Sequence, residues 1–240
     1  MSVAFWTVTK TIKGITRLLC RIDDEPLESV PAEGPLILVC NHINFLEVPV
    51  MFTHLQPRPL TGFAKSETWD NPWLALLFNL WGAIPLQRGE ADTQALRKGL
   101  QALEQGMILA ITPEGTRSND GRLKRGHPGV TLLALRSGVP LLPLVYFGQE
   151  TLENNLRKLR RTVFHIKVGQ PFYLTAPHGL ATHSVRQALT DEIMYQLAAL
   201  LPPEYRGFYS DLSAASSQHL RFINCGADRY PGINLKPHFT

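Results

Sequence analysis

The chain has 240 residues, a formal charge of +4 and a pI near 9.0. With 44% apolar and 18% charged residues it is neither a disordered segment nor long enough for two well-buried domains. The positive balance favours partners that carry negative charge: anionic lipid, a phosphorylated substrate or an acidic carrier protein. Nucleic acid is set aside, because the chain carries no motif for it. Cys20, Cys40 and Cys225 follow neither a disulfide framework nor, with the histidines, a zinc pattern. That points to a reducing compartment and to no metal or other cofactor.

Residues 1–22 predict an amphipathic helix. Phe5, Val8, Ile12, Ile15, Leu19 and Ile22 recur at three- and four-residue steps along one face. Lys10, Lys13, Arg17 and Arg21 supply cations, and no acid precedes Asp23. This pairing suits the headgroup region of an anionic membrane; an ordinary surface helix packed on the domain fits the pattern as well. The chain shows no secretory signal and no apolar run of the ~18 residues that a spanning helix needs. The expectation is a peripheral or monotopic membrane protein on the cytoplasmic face.

A turn-rich linker, Asp23 to Gly34, leads into a strand over Leu36–Cys40 and a helix over Leu46–Leu55. Gln56-Pro57-Arg58-Pro59 breaks the chain before a strand over Leu60–Ala64, and Asn71-Pro72 reads as a helix start. The run Trp73–Leu86 has no charge. It predicts a buried helix followed by a strand, with a hydrophobic element dipping into lipid as the other reading. A helix over Asp92–Gln105 has Asp92 as a candidate N-cap and Gly106 past its end. Then come a buried strand over Met107–Thr112, a polar, basic loop over Ser118–Gly126 and a helix over Val130–Arg136 closed by Gly138. Strands over Leu141–Phe147 and Val163–Val168 and a helix over Val185–Leu200 follow. The alternation predicts an α/β fold. It would be one domain over 23–212, with a central mixed sheet flanked by helices, preceded by the amphipathic helix. Residues 213–240 lack period and predict an irregular tail.

Two stretches carry chemistry. In Asn41-His42-Ile43-Asn44-Phe45-Leu46-Glu47 an imidazole leaves the end of the first predicted strand, and a carboxylate opens the next helix. An imidazole takes a proton at neutral pH, and a carboxylate at its other nitrogen fixes the tautomer. On a continuous helix the two residues would diverge by about 140°, so they meet only if His42 lies on a strand end or loop. Further along, Thr112-Pro113-Glu114-Gly115-Thr116-Arg117-Ser118 combines a carboxylate, a glycine that admits close backbone approach and a guanidinium that matches phosphate.

In that order, and with Gly82-Ala83-Ile84-Pro85-Leu86-Gln87-Arg88 between them and Val139-Pro140-Leu141-Leu142-Pro143-Leu144 after them, these stretches resemble the glycerolipid acyltransferase family. That family includes the 1-acyl-glycerol-3-phosphate acyltransferases. Its first motif is Asn-His-x4-Asp, and this chain departs from it with Glu47. The departure leaves either Glu47 or Glu114 as the partner of His42. The resemblance implies transfer of a fatty acyl group from acyl-CoA or acyl-carrier protein to the hydroxyl of a lysophosphatidic-acid-like acceptor, with His42 as general base; the alternatives are a catalytically silent lipid-binding membrane protein on the same fold and an acyltransferase acting on another lysolipid. It also implies that Arg88 and Arg117 hold the acceptor phosphate while Glu114, Gly115 and Thr116 line its site. Lys65, beyond the second strand, is a further candidate contact.

Cys40 is either a small core residue or, beside His42, a covalent nucleophile. Arg157, Lys158, Arg160 and Arg161 form a basic run suited to an acidic carrier, to headgroups or to solvent. No serine-hydrolase elbow, Walker loop or dinucleotide fingerprint occurs.

Overall fold

A computed structural model describes residues 2–87, 92–176 and 182–223. Three strands made wholly or almost wholly of buried apolar residues form its centre: β2 (Leu36–Cys40), β5 (Ile108–Ile111) and β6 (Leu141–Phe147). Such runs suit parallel strands covered on both faces. β2 pairs in parallel with β5 on one side and β6 on the other. β3 (Leu60–Lys65) adds to β5, and β4 (Ile84–Leu86) adds to β3, both in parallel.

On the other flank β7 (Thr162–Val168) runs antiparallel to β6 and alternates buried with exposed residues, as an outer strand does. β8 (Phe172–Leu174) also pairs antiparallel with β6. The sheet is therefore mixed, as the sequence predicts.

Alternating side chains of the central strands feed two cores. Leu36, Leu38, Cys40, Leu142 and Leu144 face one, with Val50 and Phe52 of α2 (Glu47–His54) and Leu55 just past its end. Ile37, Val39, Leu109, Leu141 and Val145 face the other. There they meet α4 (Thr93–Glu104), α5 (Gly129–Ser137) and the last helix, His183–Leu200. The Asp92 side chain caps α4 by accepting from Ala95 N, and α5 ends on Gly138 at φ +64°.

Three expectations are corrected. The N-terminal helix is shorter than residues 1–22: α1 covers Val3–Leu19, and Cys20–Ile22 becomes β1, parallel to β7. Of its expected stripe, Phe5 is buried and Ile12, Leu19 and Ile22 pack on the core, while Ile15 is 50% exposed. Thr9 and Thr16 are buried as well, because both threonine hydroxyls find partners inside. Thr16 Oγ1 bonds Lys13 O at 3.0 Å and meets His54 Nε2 at 3.3 Å, and Trp81 Nε1 points at Thr9 Oγ1.

The uncharged run behaves in the opposite way to a core helix. α3 (Pro72–Leu80), capped by Asn71, has no buried residue, and Trp73 and Leu76 are 79% and 64% exposed. Leu77 and Leu80 lean on the core, and Phe78 meets Trp81 with ring centroids 6.2 Å apart. The space beneath is filled by Trp81, stacked on Phe52 with ring centroids 5.0 Å apart. The segment from 213 onward is not uniformly irregular, since Leu220–Phe222 forms β9 against β8. The rest of that tail, 224–240, lies outside the described residues.

Candidate active site

The C-terminal ends of β2 and β5 carry the two motifs to one edge of the sheet, beside the neighbouring end of β3. Ligands bind at such edges in open α/β sheets. β2 stops because Asn41 completes its last pairing with a side chain. Asn41 Nδ2 donates to Tyr146 O and Oδ1 accepts from Tyr146 N, both at 2.8 Å. The backbone is then free to turn out of the sheet at His42.

Glu47 opens α2, and its buried carboxylate reaches back into the turn. Oε1 accepts from Ile43 N at 2.6 Å, from Asn44 N at 2.9 Å and from Gln149 Nε2 at 3.0 Å. Oε2 has no hydrogen bond among the described residues and stands 3.6 Å from His42 Nδ1, itself buried and unpaired. His42 as a whole is 8% exposed. With Nδ1 turned inward to a carboxylate, Nε2 is the nitrogen left for chemistry.

Glu114 takes a different place. Its Oε1 accepts from the backbone N–H of His42 at 2.7 Å and its Oε2 from that of Lys124 at 2.8 Å. It therefore clamps the His42 turn to the basic loop. Burial raises its carboxyl to about 7 from an ordinary 4.5, against the two backbone bonds and the Lys124 charge that lower it; Glu47 adds a smaller upward push. Of the two acids left open by the sequence, Glu47 faces the ring and Glu114 holds the backbone.

The two motif loops are laced together by Ser118 N to His42 O at 2.8 Å and Asn119 N to Ile43 O at 3.0 Å. Gly115 sits at φ +64°, and a Cβ there would come 3.2 Å from His127 Cδ2. Thr116 and Arg117 are exposed. Lys124 Nζ bonds the Arg117 carbonyl at 2.7 Å. Lys65 is exposed at the end of β3, one strand beyond β5. Arg88 lies outside the described residues. Cys40 is buried beside Tyr146, and burial drives its thiol far above the usual range, which suits a core residue and not a thiolate nucleophile. An open cleft of about 560 Å³, lined by Arg17, Arg21 and Arg161, lies by β1 and β7 and includes none of these site residues.

Sequence reasoning missed Gln149 and the bracing roles of Asn41 and Asn44. Asn44 Nδ2 bonds Gln149 O at 2.8 Å, and Asn44 Oδ1 accepts from Leu46 N at 2.9 Å. The Asn-His pair signalled Asn41, but nothing local marks Gln149, which reaches the site only through the pairing of β6 with β2.

The profile of the family described as Acyltransferase matches residues 21–147, more than half of the chain. The chain belongs to the acyltransferase family. It is 24% identical over 174 residues to a 1-acyl-sn-glycerol-3-phosphate acyltransferase of Bacillus subtilis, covering 72% of this chain and 84% of that protein. It is 26% identical over 155 residues to the lyso-ornithine lipid O-acyltransferase of Pseudomonas aeruginosa, covering 57% of this chain and 59% of that one. The crystal structure of the 1-acyl-sn-glycerophosphate (LPA) acyltransferase of Thermotoga maritima shares this acyltransferase's fold. It has a TM-score of 0.59 and 23% identity, covering 82% of this chain and 80% of that one. In this α/β fold the paired His42 and Glu47 follow the end of β2, beside the end of β5 that leads to Glu114.

Proposed function

We propose that this acyltransferase moves a fatty acyl group from acyl-CoA or acyl-carrier protein to the free hydroxyl of a lysophosphatidic-acid-like acceptor in phospholipid synthesis, with His42 as general base. The observation that carries the reading is the sealed His42 Nδ1–Glu47 Oε2 approach beside the Gly115–Arg117 loop. The acceptor hydroxyl gives its proton to His42 Nε2 as its oxygen attacks the thioester carbonyl. A C–O bond forms, and Glu47 stabilises the imidazolium. The tetrahedral intermediate then collapses, the C–S bond breaks, and the imidazolium returns its proton to the departing thiolate. Arg117, with Arg88, grips the acceptor phosphate, and Gly115 lets the backbone come close to it. Thr116 and Lys65 are further contacts on the same edge.

The enzyme works at an anionic membrane surface, on the cytoplasmic face. Among the described residues no helix is long and apolar enough to cross a membrane. α3 instead offers a charge-free helix with Trp73, Leu74 and Leu76 exposed; Trp81, just past its end, meets Thr9 of α1, which exposes Lys10 and Arg17. Apolar residues at headgroup depth with cations alongside are the chemistry of an interfacial protein.

Thiol release from acyl-CoA with lysophosphatidic acid tests the mechanism. His42→Ala should lower turnover by about 10²-fold or more; an unchanged rate would sink it. The P. aeruginosa relative names an ornithine lipid as its acceptor, so a lyso-ornithine lipid belongs in the same assay. Arg117→Ala should cut a preference for the phosphate-bearing acceptor by about tenfold or more, the worth of a charge-assisted hydrogen bond.

A further inference from the structure

Glu47, which stands where the first motif of the resembled family has Asp, receives a hydrogen bond from outside its own turn. Oε1 of Glu47 is shared by three donors, two of them backbone amides of its own turn. The third is Gln149, wholly buried, on the short 3-10 turn that follows β6. That turn is tied to the same loop from the other side, since the Gln149 carbonyl accepts from Asn44 Nδ2. It enters through Gly148 at φ +96°, where a Cβ would run into Val163 O at 2.7 Å. The Gln149 amide oxygen is buried with no partner among the described residues. An apolar side chain would fill this place without leaving an acceptor unpaired. Among the described residues the amide's one hydrogen bond is the one to Glu47.

We propose that Gln149 is a positioning residue for acyl transfer. By holding Oε1 of Glu47 against the turn, it leaves Oε2 as the oxygen that orients His42. A carboxylate longer by one methylene has an extra rotatable bond, and a third donor from outside the turn removes that freedom. Gln149 touches neither ring nor acceptor and acts through Glu47. Cys40, Tyr146 and Glu114 are the other titratable groups around this carboxylate, and none of them donates to it. The inference rests on the reading of His42 as the base.

The test uses the full chain in the thiol-release assay with palmitoyl-CoA and lysophosphatidic acid. The variants are His42→Ala, Glu47→Gln, Gln149→Met and the Glu47→Gln/Gln149→Met double variant. Gln149→Met keeps the shape and removes the donor. It should lower kcat by about 10²-fold while KM for both substrates stays within about twofold and the melting temperature is not lowered. In the double variant the second change should cost little beyond Glu47→Gln alone, because the two residues act as one unit. Retained kcat in Gln149→Met, a loss confined to KM, a lowered melting temperature or an undiminished loss in the Glu47→Gln background each overturns the positioning role. His42→Ala separates the two layers. If it is inactive while Gln149→Met is fully active, only the positioning role fails; if it is active, the general-base reading beneath it fails.

Discussion

His42 Nδ1 and Glu47 Oε2 stand 3.6 Å apart, both sealed from solvent and neither with another partner among the described residues. A pair left slightly open in the free enzyme can tighten when the imidazole takes on charge. The spacing is set from the carboxylate's other oxygen, which the turn amides hold at 2.6 and 2.9 Å.

Shortening that carboxylate should therefore be costly. In Glu47→Asp the side chain reaches either the turn amides or the imidazole. Turnover is expected to fall by about 10²-fold, a loss typical of a displacement near 1 Å in a catalytic group. Steady-state kinetics with both substrates varied will check it. A Glu47→Asp variant as fast as the natural enzyme would show that the carboxylate's reach does not matter.

Glu114 gives the protein a pH signature. Its folded carboxyl sits near 7, raised by burial above an ordinary 4.5. The native state therefore takes up this proton before the unfolded state does. Its contribution to stability is greatest below about 4.5 and is lost as pH rises through about 7. The slope inside that window is at most ~1.4 kcal/mol per pH unit for one proton. Urea melts across that range should show the stability difference between wild type and Glu114→Gln drifting with pH inside the window and flat outside it.

At Gly115 the backbone sits at φ +64° and His127 stands 3.2 Å from the position of a Cβ. Gly115→Ala should destabilise the protein by about 1–2 kcal/mol. A denaturant midpoint shift with an unchanged m-value is the expected reading.

The exposed face of α3 supplies a membrane test. Trp73→Ser and Leu76→Ser remove outward side chains that touch little of the fold, so stability should change by no more than about 0.5 kcal/mol. Sedimentation with phosphatidylglycerol-rich vesicles should fall severalfold in the double variant. Equal sedimentation would return the membrane contact to α1 alone.

The central strands were legible because a strand covered on both faces has one composition, continuous and apolar, that its own residues declare. The strand Leu36–Cys40 matches its expected span to the residue. The Asp92 cap and the Gly138 stop follow from equally local chemistry. That His42 and the Glu114 loop lie together at one edge of the sheet follows from their places just after strands that their own residues declare.

Direction and partnership lie outside that local information. An uncharged segment such as Pro72–Leu80 has no charged side to say which way it faces; in the fold it lies outward, next to Trp81 stacked on Phe52. Nor could the chain alone divide Glu47 from Glu114. Each is a carboxylate near the same histidine, and the choice falls to which backbone amides point at which oxygen once β2, β5 and β6 are paired. Gln149 becomes Glu47's neighbour by the same pairing. The amino-acid order determined the groups available for chemistry; hydrogen-bond geometry across distant strands decided which of them meet.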